Sequence, residues 1–150
     1  PSKIAAAKAS GADRVLVLDS GDELAAEITR LTGGKGVDAV YDGVGKATTD
    51  LSLRAVADGG AVVMFGNASG APEPDEDLVA RKRITLSQPD LGTVVPAQLE
   101  RQQIADDLFA MVSAGRIPAP AVTTYPIEEI ASAHRDLESG RSTGSLVLVT

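Results

Sequence analysis

Strands and helices alternate along this chain of 150 residues, which predicts an α/β fold built on a largely parallel sheet. Two observations carry the prediction. Val37–Tyr41 and Ala61–Phe65 are short apolar runs rich in β-branched residues, and each gives way to glycine; such runs read as fully buried strands. Between them, Lys46–Asp58 holds Leu51, Leu53, Ala55 and Val56, enough apolar surface for a short helix covering one sheet face. A strand, a helix and a strand within about 30 residues form a parallel crossover unit, almost always right-handed. Open parallel sheets bind ligands beyond the carboxyl ends of their strands. Here those ends are Asp42-Gly43-Val44-Gly45 and Gly66-Asn67-Ala68-Ser69-Gly70, where a flat ligand can lie close against backbone.

The other elements follow in order. Pro1-Ser2-Lys3 leads into an alanine-rich helix over Ile4–Ser10, stopped by Gly11; proline near the start and glycine past the end suit helix termini. A domain rarely opens so close to such a helix entry, so further chain is expected upstream. Arg14–Asp19 reads as a strand. Ser20-Gly21-Asp22 then opens a helix over Glu23–Leu31, with Leu24, Ile28 and Leu31 on one face. Thr32–Gly36 contains Gly-Gly-Lys-Gly, but a strand follows where a phosphate loop requires a helix, so this is a turn. Ala71–Asp77 is a Pro- and acid-rich loop, Leu78–Arg83 a helical turn, and Ile84–Gln88 an exposed or edge strand stopped by Pro89. Arg81-Lys82-Arg83 reads as a solvated loop. Pro96 opens a long helix with Leu99, Ile104, Leu108, Met111 and Val112 as its buried face and Gly115 as its end. A strand over Val122–Tyr125, a helix over Glu128–Ser139, a loop over Gly140–Gly144 and a strand over Ser145–Thr150 complete the chain.

Composition narrows the function classes. The length suits one core and one domain. A formal charge of −7 disfavours a general nucleic-acid surface, which needs clustered Lys and Arg. The chain has no cysteine and one histidine, so disulfides and thiolate metal sites are excluded and a dedicated zinc site is not expected. No apolar run reaches the roughly 18 residues a membrane helix needs, and the opening residues carry no signal-peptide pattern. A cytoplasmic location is expected, with neither membrane nor nucleic acid as a partner.

An ordered set of motifs points further. Lys3 precedes Gly11-Ala12-Asp13 by eight residues; Leu31-Thr32-Gly33-Gly34-Lys35-Gly36-Val37-Asp38, Val40-Tyr41-Asp42-Gly43-Val44-Gly45 and Phe65-Gly66-Asn67-Ala68-Ser69-Gly70 follow. Ala133-His134-Arg135, Leu137-Glu138 and Ser142-Thr143-Gly144-Ser145 close the series. Taken together, the chain resembles the C-terminal part of the zeta-crystallin-like quinone oxidoreductases, in the medium-chain dehydrogenase/reductase superfamily. The resemblance covers essentially all 150 residues.

That resemblance implies NADPH bound in a Rossmann-like, doubly wound, mostly parallel sheet, and zinc-independent hydride transfer to a quinone or other conjugated carbonyl. Lys3 matches the lysine that pairs with the adenosine 2′-phosphate, a role suited to a point cation. Val44 and Gly45 match the turn beside the cofactor, and Phe65, Gly66 and Ser69 the segment lining the nicotinamide side. Arg141 lies in the loop that supplies a late cofactor contact. On the residues alone, Lys3 and Arg141 also read as solvated side chains and Phe65 as core. Asp42 reads as a turn or helix-cap residue and His134 as a structural histidine, and no Ser-His-Asp triad forms. No catalytic residue is assigned. One departure is Leu18, where relatives carry a tyrosine near the cofactor.

The G-x-G-x-x-G turn that holds pyrophosphate is not in these residues. The expectation is therefore a partial NADP-binding domain over residues 1–150, lacking its first strand-helix unit, from a longer reductase. Arg14–Leu18 would then be a third strand separated from its native neighbours, a swapping hazard. A homodimer pairing through Ile84–Gln88 is also implied. Rival readings are another enone, alkenal or enoyl reductase of the superfamily, a Rossmann-like methyltransferase, and a non-enzymatic interaction module.

Overall fold

The computed structural model describes residues 3–17, 21–95 and 97–150, with the side chains of Leu91 and Thr93 set aside. The departure at Leu18, the end of the Arg14–Asp19 strand, the Ser20 helix entry and the Pro96 helix opening lie outside the described residues. In chain order the elements are α1 (Ile4–Ala9), α2 (Gly21–Leu31), β1 (Val37–Asp42), α3 (Thr49–Ala55), β2 (Val56–Met64), α4 (Glu76–Lys82) and β3 (Thr85–Ser87). They continue with α5 (Leu91–Val94), α6 (Gln98–Ser113), β4 (Val122–Pro126), a 3₁₀ turn (Ile127–Glu129), α7 (Ile130–Glu138) and β5 (Ser145–Val149). The chain forms two compact units, residues 16–101 and residues 1–15 with 102–150. Every described strand pair is parallel, as the α/β reading expects.

In the first unit the sheet order is β1-β2-β3. Val40, Val62 and Leu86 stand opposite one another across the three strands, so they share a face by the two-residue period. That face carries the core: Leu53 of α3, Val56, Val62, Met64 and Ile84 are buried, and Leu78, Val79, Val40 and Leu86 pack around them. The opposite face carries Ala39, Tyr41, Thr85 and Ser87, all exposed. β1 is thus not the fully buried strand expected; it is a sheet edge, covered on one face only. The helix expected over Lys46–Asp58 is shorter, because β2 begins at Val56. Val37 pairs with Val56 but Ala39 with Ala61, so Ala57–Gly60 bulge out of the ladder.

Lys82 explains how α3 can stop so sharply. Its ammonium donates to the carbonyls of Leu53 at 2.9 Å and Arg54 at 3.1 Å, and also to that of Val56. Carbonyls at a helix end have no partner within the helix, and a lysine reaching them both bonds them and opposes the helix dipole. The solvated-loop reading of Arg81-Lys82-Arg83 is corrected here: Lys82 is half-buried, and Arg83 closes α4 in the left-handed conformation at φ +54°. Asp75 caps the other end of α4, accepting from the Leu78 N–H at 3.0 Å. α2 buries Ala25 and packs on α3, as its apolar face predicts.

The second unit pairs β4 with β5, Val122 opposite Ser145 through Pro126 opposite Val149. α7 packs on both strands and buries Ala133. The buried face expected of α6 does not form: Leu99, Ile104, Leu108 and Met111 are all exposed, Leu99 at 71%. The helix that packs on the two-stranded sheet is α7. Arg14–Val17 belong to no described strand, since a strand exists only where a neighbour supplies its ladder.

Candidate functional site

The carboxyl ends of β1 and β2 meet at Asp42, a side chain only 4% exposed. One carboxylate oxygen accepts from the N–H groups of Val44 at 2.9 Å and Gly45 at 3.1 Å. Thr48 Oγ1 donates to both oxygens at 2.8 Å, and Ser52 Oγ donates to the second at 2.6 Å. Burial works to raise the pKa of this carboxyl, but the hydrogen bonds from Ser52, Val44, Gly45 and Thr48 outweigh it, and the net shift is downward. The group is an ionised acceptor. Of the turn or helix-cap reading of Asp42 the turn is borne out, since its side chain bonds the backbone two residues on; the residue at the N-cap of α3 is Thr48.

The main-chain carbonyl of the same residue accepts from the N–H groups of Phe65 at 3.0 Å and Gly66 at 3.2 Å. Phe65 therefore leaves the strand and turns over the neighbouring loop. Ser69 adds a second stitch. Its hydroxyl donates to the Val44 carbonyl and accepts from the Ala47 N–H, both at 2.9 Å. Lys46 N–H completes the seam by donating to the Gly70 carbonyl at 3.0 Å.

Two glycines make this approach possible. Gly45 sits at φ +97°, where a Cβ would stand 2.7 Å from the Gly66 carbonyl oxygen and also on that of Gly70. A Cβ at Gly66 would collide with the backbone of Gly43. The expected close approach of backbone at these two positions is thus consumed by the loops themselves. What the clasped loops present outward is apolar: Val44 is 42% exposed, and the Phe65 ring, beside Gly43, is 58% exposed. Phe65 is not a core residue. Beside it, a cavity of about 690 Å³ is lined by Met64, Phe65, Asn67, Gln88, Asp90 and Val94 among others.

Five of the residues singled out from the sequence, Val44, Gly45, Phe65, Gly66 and Ser69, are therefore brought together. The other two lie in the second unit. Lys3, at the start of α1, borders an open cavity of about 470 Å³ with Ser10, Ser142 and Thr143. Arg141 is exposed and borders a cavity of about 200 Å³ with Tyr125 and Asp136. The Tyr125 hydroxyl donates to Asp136 at 2.7 Å, and that bond first, then burial, raises the phenol pKa. His134 is exposed on α7.

Sequence reasoning did not single out Thr48, Ser52, Asn67 or Gln88. A signal existed for the first pair: spaced i, i+4, they lie on one face of a helix start, as do any such pair. Among the described residues no group of three or more His, Cys, Asp or Glu is arranged to hold a metal. No described helix is long and apolar enough to cross a membrane.

Residues 10–148 match the family described as zinc-binding dehydrogenase. A 2-haloacrylate reductase from Burkholderia sp is 36% identical over 128 residues, covering 83% of this chain and 38% of that protein. A quinone oxidoreductase from Pseudomonas aeruginosa is 36% identical over 132 residues, 87% of this chain and 41% of that protein. Among solved structures, the Escherichia coli quinone oxidoreductase complexed with NADPH superposes with a TM-score of 0.84 at 30% identity, covering 99% of this chain and 46% of that one. The chain spans about two fifths of the length of these curated relatives.

Proposed function

We propose that this chain, which belongs to the zinc-binding dehydrogenase family, is the NADPH-binding part of an oxidoreductase that delivers hydride to a quinone or conjugated carbonyl. The clasp at Asp42 is the observation that carries the reading. It places two glycine loops at the carboxyl ends of parallel strands and leaves Val44 and Phe65 facing outward, a surface that fits a planar ring. The cofactor, when bound, supplies the hydride. The residues of this chain bind and orient. Val44 and Phe65 flank the ring, Gly45 and Gly66 let the loops close, and Ser69 locks them. Lys3 pairs with the 2′-phosphate, and Arg141 supplies a further contact. The chain lacks cysteine and has one histidine, so its residues offer no zinc ligand set of the usual kind despite the family's name.

The likeness to a 2-haloacrylate reductase favours a second acceptor class, an activated alkene in place of a quinone, at the same cavity. In either case the protein works in the cytoplasm and pairs with a second copy through the outer edge of β3. NADPH and NADH titrations followed by fluorescence test the reading. NADPH is expected to bind at least about tenfold more tightly than NADH, with Lys3→Ala abolishing most of that preference. A folded protein, extended upstream to include the glycine-rich turn, that binds neither nucleotide sinks the proposal and leaves the interaction module standing. Turnover of a quinone against a 2-haloacrylate separates the two acceptors.

A further inference from the structure

We infer that Asp42 is a positioning residue for this site: its carboxylate and its carbonyl together hold Val44 and Gly45 against Phe65 and Gly66. The inference rests on the nucleotide-binding reading above. Its basis is geometric. The side chain takes the N–H groups of one loop and the main-chain carbonyl those of the other, at distances between 2.9 and 3.2 Å. No other described residue is bonded to both loops from beneath in this way. Ser69 stitches the same loops, but from an exposed position.

The chemistry of the group shows how it holds that geometry while also contributing to stability. Each of its side-chain donors is neutral: two backbone amides and the hydroxyls of Thr48 and Ser52. Among the described residues no cation pairs with it. A buried carboxylate without a cation is costly, and here hydrogen bonds offset that cost; removing the group leaves its donors without an acceptor. What apolar atoms cannot do is accept hydrogen bonds from these four donors at once. The donors on α3 fix the carboxylate, and the carboxylate fixes the loop. Ser69 holds the Val44 carbonyl, through its N–H at 3.0 Å and its hydroxyl at 2.9 Å, whereas the Val44 N–H is held by Asp42.

Three variants test this. In Asp42→Ala, amide hydrogen exchange at Val44 and Gly45 should accelerate, and the Kd for NADPH should rise about tenfold. Asp42→Asn, which keeps one oxygen for both N–H groups, should restore slow exchange and most of the affinity. Lys82→Met weakens α3 from its far end without touching either loop; it should lower the Tm while leaving the Kd unchanged. An equal rise in Kd for Lys82→Met overturns the inference, because Asp42 would then act only through stability. Unchanged exchange at Val44 and Gly45 in Asp42→Ala overturns it too. If Asp42→Ala does not fold, Ser52→Ala, which removes one α3 donor that fixes the carboxylate, takes its place: faster exchange at Val44 and Gly45 with a raised Kd sustains the role, and unchanged exchange and Kd overturn it. Absence of NADPH binding by the wild type extended upstream to include the glycine-rich turn sinks the functional reading itself, whereas the exchange measurement needs no nucleotide and still reports the clasp.

Discussion

The three-stranded and two-stranded units share one plan, parallel strands joined through a helix, yet their apolar residues meet different fates. In the three-stranded unit Leu53, Val56 and Val62 are completely enclosed. In the two-stranded unit Ala133 is the one buried apolar residue among those described, and Val122, Leu148 and Val149 stay exposed on the strands. The two-stranded set is the more β-branched, with Val122, Thr123, Thr124, Val147 and Val149 on β4 and β5. What differs is coverage, because a third strand and a second helix give Val62 neighbours on every side. Burial, more than β-propensity, decides which part of a parallel sheet holds itself together.

The sharpest test of that contrast is a matched pair of truncations. Leu53→Ala should cost about 2 to 5 kcal/mol in urea unfolding, and Leu148→Ala, at 37% exposure, less than about 1 kcal/mol. Equal losses would break the comparison. Gly66→Ala should come next, at about 2 to 3 kcal/mol, since the new Cβ meets backbone and not a flexible side chain. Lys82→Met leaves the carbonyls of Leu53, Arg54 and Val56 without their donor; a loss of about 1 to 2 kcal/mol is expected.

The smallest effect separates the units by pH. Asp42 titrates below its ordinary 3.8 when folded. Its contribution is therefore complete above that value and lost as pH falls through the lowered one. Tyr125 titrates above its ordinary 10.0 when folded, so its contribution is complete below that value and lost as pH rises through the raised one. Acid should loosen the three-stranded unit first and alkali the two-stranded unit first, read by residue-resolved exchange. Asp42→Asn should flatten the acid limb, and Tyr125→Phe the alkaline limb.

Most strands were legible in the sequence because apolar runs bounded by glycine or proline leave few alternatives. Val37–Tyr41, Val122–Tyr125 and Ser145–Thr150 each fall within a residue or two of β1, β4 and β5. Helix α5 was not anticipated, since four residues carry no periodicity. The burial of α6 was misread because periodicity reports which residues share a face, not whether anything lies against that face. At the candidate site, the glycines and Phe65 were legible as types suited to strand ends. The division of labour was not: Ser69 and Gly66 serve the seam between two loops, and that depends on pairing across more than twenty residues. Lys82 was misjudged for a similar reason. A basic triplet looks solvated until the helix whose end it reaches is placed.

That lysine also behaves as a built-in reporter. Lys3, Lys8, Lys35 and Lys46 are exposed, and an acylating reagent meets their amines directly. The Lys82 amine must first release its carbonyls, so its acylation waits on α4 lifting from the sheet. The lag between the fast lysines and this slow one is a chemical clock for that motion, and once acylated the side chain has no charge with which to dock again.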